Sequence, residues 1–217
     1  MKAIQLIKYG SSKDSFEINE IPVPNLINKE DVLIKVHAFG INFADIMARK
    51  GLYRASPALP AVLGYEVVGI VEKTKDPKNN HLVGKRVLAL TRFGGYAHYA
   101  VTTALGLIEI PKSVKNGIAL ALATQYCTAL IAVQKTDLEK NDLVLIHSAS
   151  GGVGTALTQL LKQKGCKIIG LTRNESKLTY LKSNGVDFPI NTTKKEYNLQ
   201  IQEAFPNQKV KGIFNSV

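Results

Sequence analysis

The amino-acid sequence predicts an α/β chain in two parts. A barrel-like β-domain is expected over residues 1–120, and an incomplete doubly wound parallel sheet over residues 121–217. Three observations carry this. The first half is a series of short Val-, Ile-, Leu-, Ala- and Tyr-rich runs broken by Gly, Pro and Asn. The second half alternates apolar runs of strand length with stretches of helical period, the pattern of βαβ units on a parallel sheet. Between its first strand and first helix lies the glycine-rich turn Ala149-Ser150-Gly151-Gly152-Val153-Gly154.

In chain order, the first half offers strands at 2–8, 31–39, 65–73, 85–90 and 95–101. Pro22, Pro24, Gly40, Pro57, Pro60, Gly84 and Gly94-Gly95 punctuate them. A short helix over 43–50 is expected, because Phe43, Ile46 and Met47 fall at i, i+3 and i+4. Residues 116–135 form an apolar helical stretch. There follow a strand at 143–147, a helix at 153–164 and a strand at 167–172. A helix near 175–184, a strand near 186–190, another helix and a final strand at 210–217 complete the pattern. That final strand would be central in a parallel sheet and need a partner on its far side, so a longer natural unit is expected.

Composition narrows the function classes. The 217 residues are 45% hydrophobic and 21% charged, which excludes wholesale disorder. No window approaches 18 consecutive apolar residues, and Met1-Lys2-Ala3-Ile4-Gln5 carries no apolar leader core. Two cysteines, Cys127 and Cys166, make neither a disulfide framework nor a cysteine-rich zinc site. A cytoplasmic location is the expectation. The net charge of +11 is spread evenly, with 16 basic against 10 acidic residues over 1–120 and 12 against 7 over 121–217. Without a basic run, no nucleic-acid partner is expected. A basic protein binding RNA or an acidic membrane surface is the non-enzymatic alternative, and it rests on the charge alone.

The glycine-rich turn matches a dinucleotide fingerprint in register, with Ala149 at the first glycine position and Gly151 and Gly154 at the other two. Gly151 lets the backbone approach a pyrophosphate, and Gly154 lets the helix pack close to the strand. Amides at the helix N-terminus face the phosphates. About 20 residues on, an NAD site offers an acid to the ribose 2′-hydroxyl. Here Thr172 stands in that place, followed by Arg173 and then Lys177, cations suited to a 2′-phosphate or else plain surface charges. NADP(H) is the expected cofactor, with Glu175 close enough to blur the choice.

Together with Phe39-Gly40-Ile41-Asn42-Phe43-Ala44-Asp45, Leu63-Gly64-Tyr65-Glu66, Val83-Gly84-Lys85-Arg86-Val87 and Gly94-Gly95-Tyr96-Ala97, these residues resemble the medium-chain dehydrogenase/reductase superfamily. Within it they look like the zinc-free quinone oxidoreductase branch and its vesicle amine transport protein relatives. The resemblance implies a GroES-like barrel followed by a Rossmann domain that stops after its fourth strand, roughly a hundred residues short of a six-stranded sheet. It also implies an NADPH-dependent reductase of quinones or activated alkenes, impaired in a chain of this length, with an enoyl or enone reductase as the nearest alternative.

In zinc-containing relatives Cys stands at Asn42, His at Tyr65, and a third ligand near Thr124, so neither zinc site is expected. The resemblance points to Asn42 and Tyr53 as donors to the developing substrate oxyanion, Tyr53 packing instead on the nicotinamide side being the other reading. Asp45 either orders this group or pairs with Arg49 at i+4. Thr128 either lies near the nicotinamide or packs its helix. A small-molecule quinone or enone is the implied partner, and a homo-oligomer is possible for a full-length form.

Overall fold

The computed structural model describes residues 1–194 and 196–215, which fall into two units, Met1–Thr124 and Gln125–Val217. In the first, β3 (Asp31–Phe39) pairs antiparallel with both β7 (Tyr99–Thr103) and β5 (Glu66–Thr74). Strands β6 (Arg86–Leu90) and β8 (Leu107–Glu109) extend the sheet to the order β7-β3-β5-β6-β8. A second sheet runs β2-β1-β4, from β1 (Lys2–Leu6), β2 (Phe16–Glu20) and β4 (Ala61–Val62). Alternation places Val32 and Ile34 with Val67, Val71, Val87, Ala89 and Ala100 in one core. Each buried Val or Ile contributes about 1.5–3 kcal/mol. Gly69 is required here because a Cβ on it would lie 2.2 Å from the Lys35 carbonyl oxygen of the neighbouring strand.

Helix α1 (Phe43–Arg49) begins at Asn42, whose backbone N–H donates to the Asp45 carboxylate at 2.8 Å. Its buried Ala48 packs with Leu6, Leu63 and Tyr96. Helix α2 (Asn116–Ala121) lays Ala119 against Val68 and Leu88.

The strand expected at 95–101 is displaced to 99–103. Gly94 takes φ +89°, and a Cβ on Gly95 would meet the Gly64 carbonyl oxygen at 3.0 Å. Residues 95–97 therefore fold against 63–64 and β1 rather than joining the large sheet, as the bonds Tyr96 N–H to Leu63 O and Ile4 N–H to Tyr96 O show. Strands β2, β4 and β8 escaped the sequence reading. Two are three residues or fewer, and β2, Phe-Glu-Ile-Asn-Glu, is an edge strand whose Ile18 is exposed.

The second unit is the expected parallel sheet. Its strands are β9 (Leu143–Ile146), β10 (Lys167–Thr172), β11 (Phe188–Asn191) and β12 (Val210–Phe214), in the order β11-β10-β9-β12. This is the 3-2-1-4 half of a doubly wound sheet. All four residues of β9 are buried, as a strand covered on both faces requires. Val144 and Ile146 pack with Leu157 and Leu161 of α4 (Gly152–Gln163), and with Ala129 and Val133 of α3 (Cys127–Gln134). Leu143, Leu145, Ile169 and Leu171 face Ile190 together with Tyr197 and Ile201 of α6 (Tyr197–Ala204). Helix α5 (Leu178–Ser183) buries Leu181.

The expected helix over 116–135 contains a π-helical turn at Leu122–Tyr126, an inserted residue that hydrophobic period does not reveal. By length and composition Asn116–Gln134 passes the test for a membrane-crossing helix, but its Ala119, Ala123, Ala129 and Val133 pack in protein cores. The last two residues of the expected strand at 210–217 lie outside the described residues.

Candidate functional site

The sequence-derived residues form two groups, one in each unit. In the first, α1 presents Asn42 and Asp45. Asp45, 4% exposed, accepts from the backbone N–H of Asn42 at 2.8 Å and of Gly64 at 3.3 Å. Asp45 forms no ion pair to Arg49 among the described residues. The side-chain amide of Asn42 donates to Glu66, its nitrogen 2.9 Å from each carboxylate oxygen. Thr124 adds a hydroxyl donor to the same carboxylate.

Glu66 is 1% exposed, and burial raises its carboxyl above the ordinary value of 4.5 despite the opposing bonds from Thr124 and Asn42. It was missed as a site residue because its partners are neutral and distant in sequence. Gly40 makes room for it: a Cβ there would sit 1.7 Å from Glu66 Oε1.

Tyr53, half-buried, stands edge-on to Tyr65, with ring centroids 6.2 Å apart at 89°. Tyr65 in turn packs on Phe93 at 5.2 Å. Burial, followed by the neighbouring Tyr53 phenol and the Asp45 charge, pushes the Tyr65 hydroxyl well above the usual phenol range. Among the described residues no group of three or more His, Cys, Asp or Glu side chains is placed to hold a metal ion.

In the second unit the chain leaves β9 through His147 and Ser148, the latter at φ +49°, and turns into α4. The first bond of the helix ladder runs from Thr155 N–H to Gly151 O at 2.8 Å. The amides of Gly152, Val153 and Gly154 therefore precede the ladder, as the first turn of any helix requires. A Cβ on Gly154 would lie 2.5 Å from the Ser148 carbonyl oxygen, so glycine alone lets the helix sit this close. Buried Ala149 fixes the turn by donating its N–H to Leu171 O at 3.0 Å.

Beside this turn lies an open groove of about 580 Å³, lined by His147, Ser148, Ser150, Gly151, Leu171, Thr172, Arg173, Asn174, Thr192 and Asn215. It brings Ser150, Gly151, Thr172 and Arg173 together. Ala149, Gly152, Val153 and Gly154 shape the turn behind it. Lys177 sits nearby with its Nζ 5.9 Å from the Tyr180 ring centroid. Thr128 is exposed on α3 and is not among the lining residues.

The Thr172 hydroxyl accepts from Asn174 N–H at 3.2 Å, closing the turn after β10. Glu175, the residue that blurred the cofactor choice, points its carboxylate at Asn191 (2.6 Å) and Lys194 (3.0 Å), and these two bonds hold it below its ordinary value. Ser148, Asn174 and Thr192 were not foreseen, because a left-handed serine and a turn-closing asparagine carry no distinguishing sequence signal.

Residues 28–112 match the alcohol dehydrogenase GroES-like domain family and residues 152–217 the zinc-binding dehydrogenase family. The chain is similar to the quinone oxidoreductase of Sus scrofa, 32% identical over 206 residues, covering 94% of this chain and 62% of that protein. It is also similar to the synaptic vesicle membrane protein VAT-1 homolog of Danio rerio, 31% identical over 206 residues, covering 94% and 42%. Among solved structures, the Escherichia coli quinone oxidoreductase complexed with NADPH superposes with a TM-score of 0.91 at 26% identity, over 100% of this chain and 66% of that one. The chain thus spans less than two thirds of the length of these relatives. From the two family matches, the relatives and the superposition, the chain belongs to the medium-chain dehydrogenase/reductase superfamily, alongside its quinone oxidoreductases and VAT-1 homologs.

Proposed function

We propose that this chain binds NADPH and serves two-electron reduction of a quinone or activated alkene. The observation that carries the reading is the groove beside the β9–α4 turn, where Ser150 and Gly151 of the glycine-rich turn and Arg173 line one space while Glu175 is turned onto Asn191 and Lys194. The bare backbone of Gly151 at the groove and the close approach at Gly154 fit a pyrophosphate against the helix N-terminus. Arg173 is exposed at the groove, and together with Lys177 it suits a 2′-phosphate. The Escherichia coli relative, which binds NADPH, supports the same choice.

The cofactor, when bound, supplies a hydride, that is, two electrons and one hydrogen, to the substrate. This chain's residues hold it, and the phenols of the first unit donate hydrogen bonds to the oxygen where negative charge collects. Asp45 acts by fixing the start of α1 and the Gly64 loop around these groups. Zinc is not assigned a part, because Asn42 and Thr124 are neutral donors already directed at Glu66.

Thermal shift with NADPH against NADH tests the cofactor. Stabilisation should grow as RT ln(1 + [L]/Kd), more for NADPH. No shift with either nucleotide would sink the reading, and a larger NADH shift would sink the NADP choice. A panel of quinones, enones and enoyl thioesters then separates the substrate classes. Binding of RNA or anionic vesicles that weakens steeply with salt, without any nucleotide shift, would favour the charge-based alternative.

A further inference from the structure

We propose that Asn191 is a positioning residue that sets the cofactor preference: its side-chain amide holds the Glu175 carboxylate off the groove and so keeps that end fit for a 2′-phosphate rather than a 2′-hydroxyl. The inference rests on the NADPH reading above and concerns which residue leaves Arg173 unopposed there.

Thr172 of β10 lies beside Asn191 of β11 in the parallel register. Thr172, Arg173 and Asn174 line the groove from one strand end, and Thr192 lines it from the other. The adjoining residues, Glu175 and Asn191, are not among the lining residues. Their side chains meet each other instead, Asn191 Nδ2 donating to Glu175 Oε2 at 2.6 Å. The Glu175 backbone has no such choice of place. Thr172 Oγ accepts Asn174 N–H at 3.2 Å, and Asn174 Oδ1 accepts the Ser176 N–H at 3.0 Å and its hydroxyl at 2.8 Å. The main chain at 175 is thus tied next to the groove, and the side chain alone is divided between the groove and Asn191.

Asn191 is the rigid member of the pair, with 7% of its surface exposed. Its Oδ1 accepts the Thr193 N–H at 3.0 Å and the Thr193 hydroxyl at 2.8 Å, the bonding of an Asx turn. Thr192 N–H donates to Thr172 O at 2.9 Å and locks the same corner. With its oxygen fixed by the turn, the Asn191 amide nitrogen is aimed at Glu175. Lys194 Nζ also meets Glu175 Oε1 at 3.0 Å, but the two side chains of that pair are 59% and 56% exposed. An exposed ion pair of this kind contributes little. The buried amide therefore decides where the carboxylate rests. A carboxylate released toward the groove would accept a ribose 2′-hydroxyl and repel a 2′-phosphate. Glu175, three residues past Thr172, is an acid available for that role and withdrawn from it by a residue of β11.

The test is a double-mutant cycle on the whole chain, read by calorimetric titration of NADPH and of NADH into wild type, E175Q, N191S and N191S/E175Q. Asn191→Ser keeps an acceptor for the Thr193 amide, since serine makes the same turn more weakly, and is too short to reach Glu175. In wild type, E175Q should leave the preference for NADPH within about twofold, because the charge it removes is exposed and already paired. N191S should lower the preference roughly tenfold, and E175Q should restore it in that background, as for a freed charge acting on a hydrogen-bonding ligand. A merely structural Asn191 would weaken both nucleotides alike with no recovery at Glu175. That result overturns the proposal, as does an equal effect of E175Q in both backgrounds. If N191S does not melt cooperatively, Asn191→Asp, which keeps the acceptor at full length, takes its place in the cycle. A carboxyl carbon NMR titration of Glu175 needs no nucleotide. Its midpoint, held below the ordinary 4.5 first by Asn191 and then by Lys194, should rise in N191S. An unmoved midpoint also overturns the proposal. If neither nucleotide binds wild type, the cofactor reading falls and the specificity role with it. If NADPH binds best while E175Q acts equally in both backgrounds, the specificity role alone falls.

Discussion

The side-chain amide nitrogen of Asn42 lies 2.9 Å from both carboxylate oxygens of Glu66, 24 residues away. With the Thr124 hydroxyl, this satisfies a carboxyl that is 1% exposed. Removing it as Glu66→Ala strips the acceptor from the buried Asn42 amide, at about 1–3 kcal/mol. Urea denaturation at neutral pH should show that loss. A variant as stable as wild type would mean the carboxylate is dispensable.

The same carboxyl predicts a pH dependence. Burial raises its folded-state value above the 4.5 of an ordinary glutamate. The folded state therefore favours the protonated form. That stability is fully present below 4.5 and is lost as pH rises through the raised value. Glu66→Gln stays neutral throughout. Its stability relative to wild type should improve as pH rises through this window, as read from melting temperatures across roughly pH 4 to 8.

Glycine substitutions separate space from flexibility. A Cβ on Gly154 meets backbone, Ser148 O at 2.5 Å and Ala149 Cα at 2.7 Å. Gly154→Ala must displace α4, costing about 1–3 kcal/mol for overpacking and weakening NADPH binding. Gly117, in α2, has no left-handed φ, and a Cβ added there would find nothing within 4 Å. Gly117→Ala should stabilise by about 0.5–1 kcal/mol through helix entropy. Thermal melts of the two variants give opposite signs.

These contrasts show where the sequence was legible. The parallel sheet could be read because β9 is an uninterrupted apolar run and β10 holds one at Ile168–Leu171, and because the Gly151–Gly154 spacing serves one backbone geometry. The β-domain was harder. Tyr96 and Ala97 have strand composition, yet Gly94 and Gly95 divert them to pack on Gly64 and β1. In the site, the sequence leaves Asp45 open between ordering its neighbours and pairing with Arg49, and the structure sets its carboxylate on the Asn42 and Gly64 amides. The inward turn of Asn42 could not be read, since it depends on Glu66 arriving from β5, a tertiary contact that local patterns do not encode. The left-handed Ser148 gave no signal for the same reason.

Asp187 has two partners of unequal value. Its carboxylate receives Lys162 Nζ at 2.9 and 3.1 Å, and the Ile168 N–H at 2.8 Å. The lysine is partly exposed, so Lys162→Ala should cost less than about 1 kcal/mol. Asp187→Ala also strips the acceptor from a backbone N–H at a residue with no exposed surface, adding about 1–3 kcal/mol. Equal losses in denaturant titrations would show that the ion pair, not the backbone bond, dominates.

Arg173 and Glu175 stand two residues apart with opposite charge, and only the arginine lines the groove. Asn191 and Lys194 hold the Glu175 carboxylate elsewhere, so it does not offset the arginine at a bound phosphate. Arg173→Ala should weaken NADPH binding roughly ten- to a hundredfold, the loss of one charge-assisted bond. NADH, lacking the 2′-phosphate, should bind both forms alike. Lys194→Ala leaves Glu175 held by Asn191 alone and should weaken NADPH by a smaller factor, because an exposed ion pair is screened by solvent and holds its partners only loosely. Calorimetric titration at low and high salt distinguishes the cases. The Arg173 effect on NADPH should shrink as salt screens the exposed guanidinium, and NADH should show no Arg173 effect at either salt. An equal loss for both nucleotides would place Arg173 at the pyrophosphate rather than the 2′-phosphate.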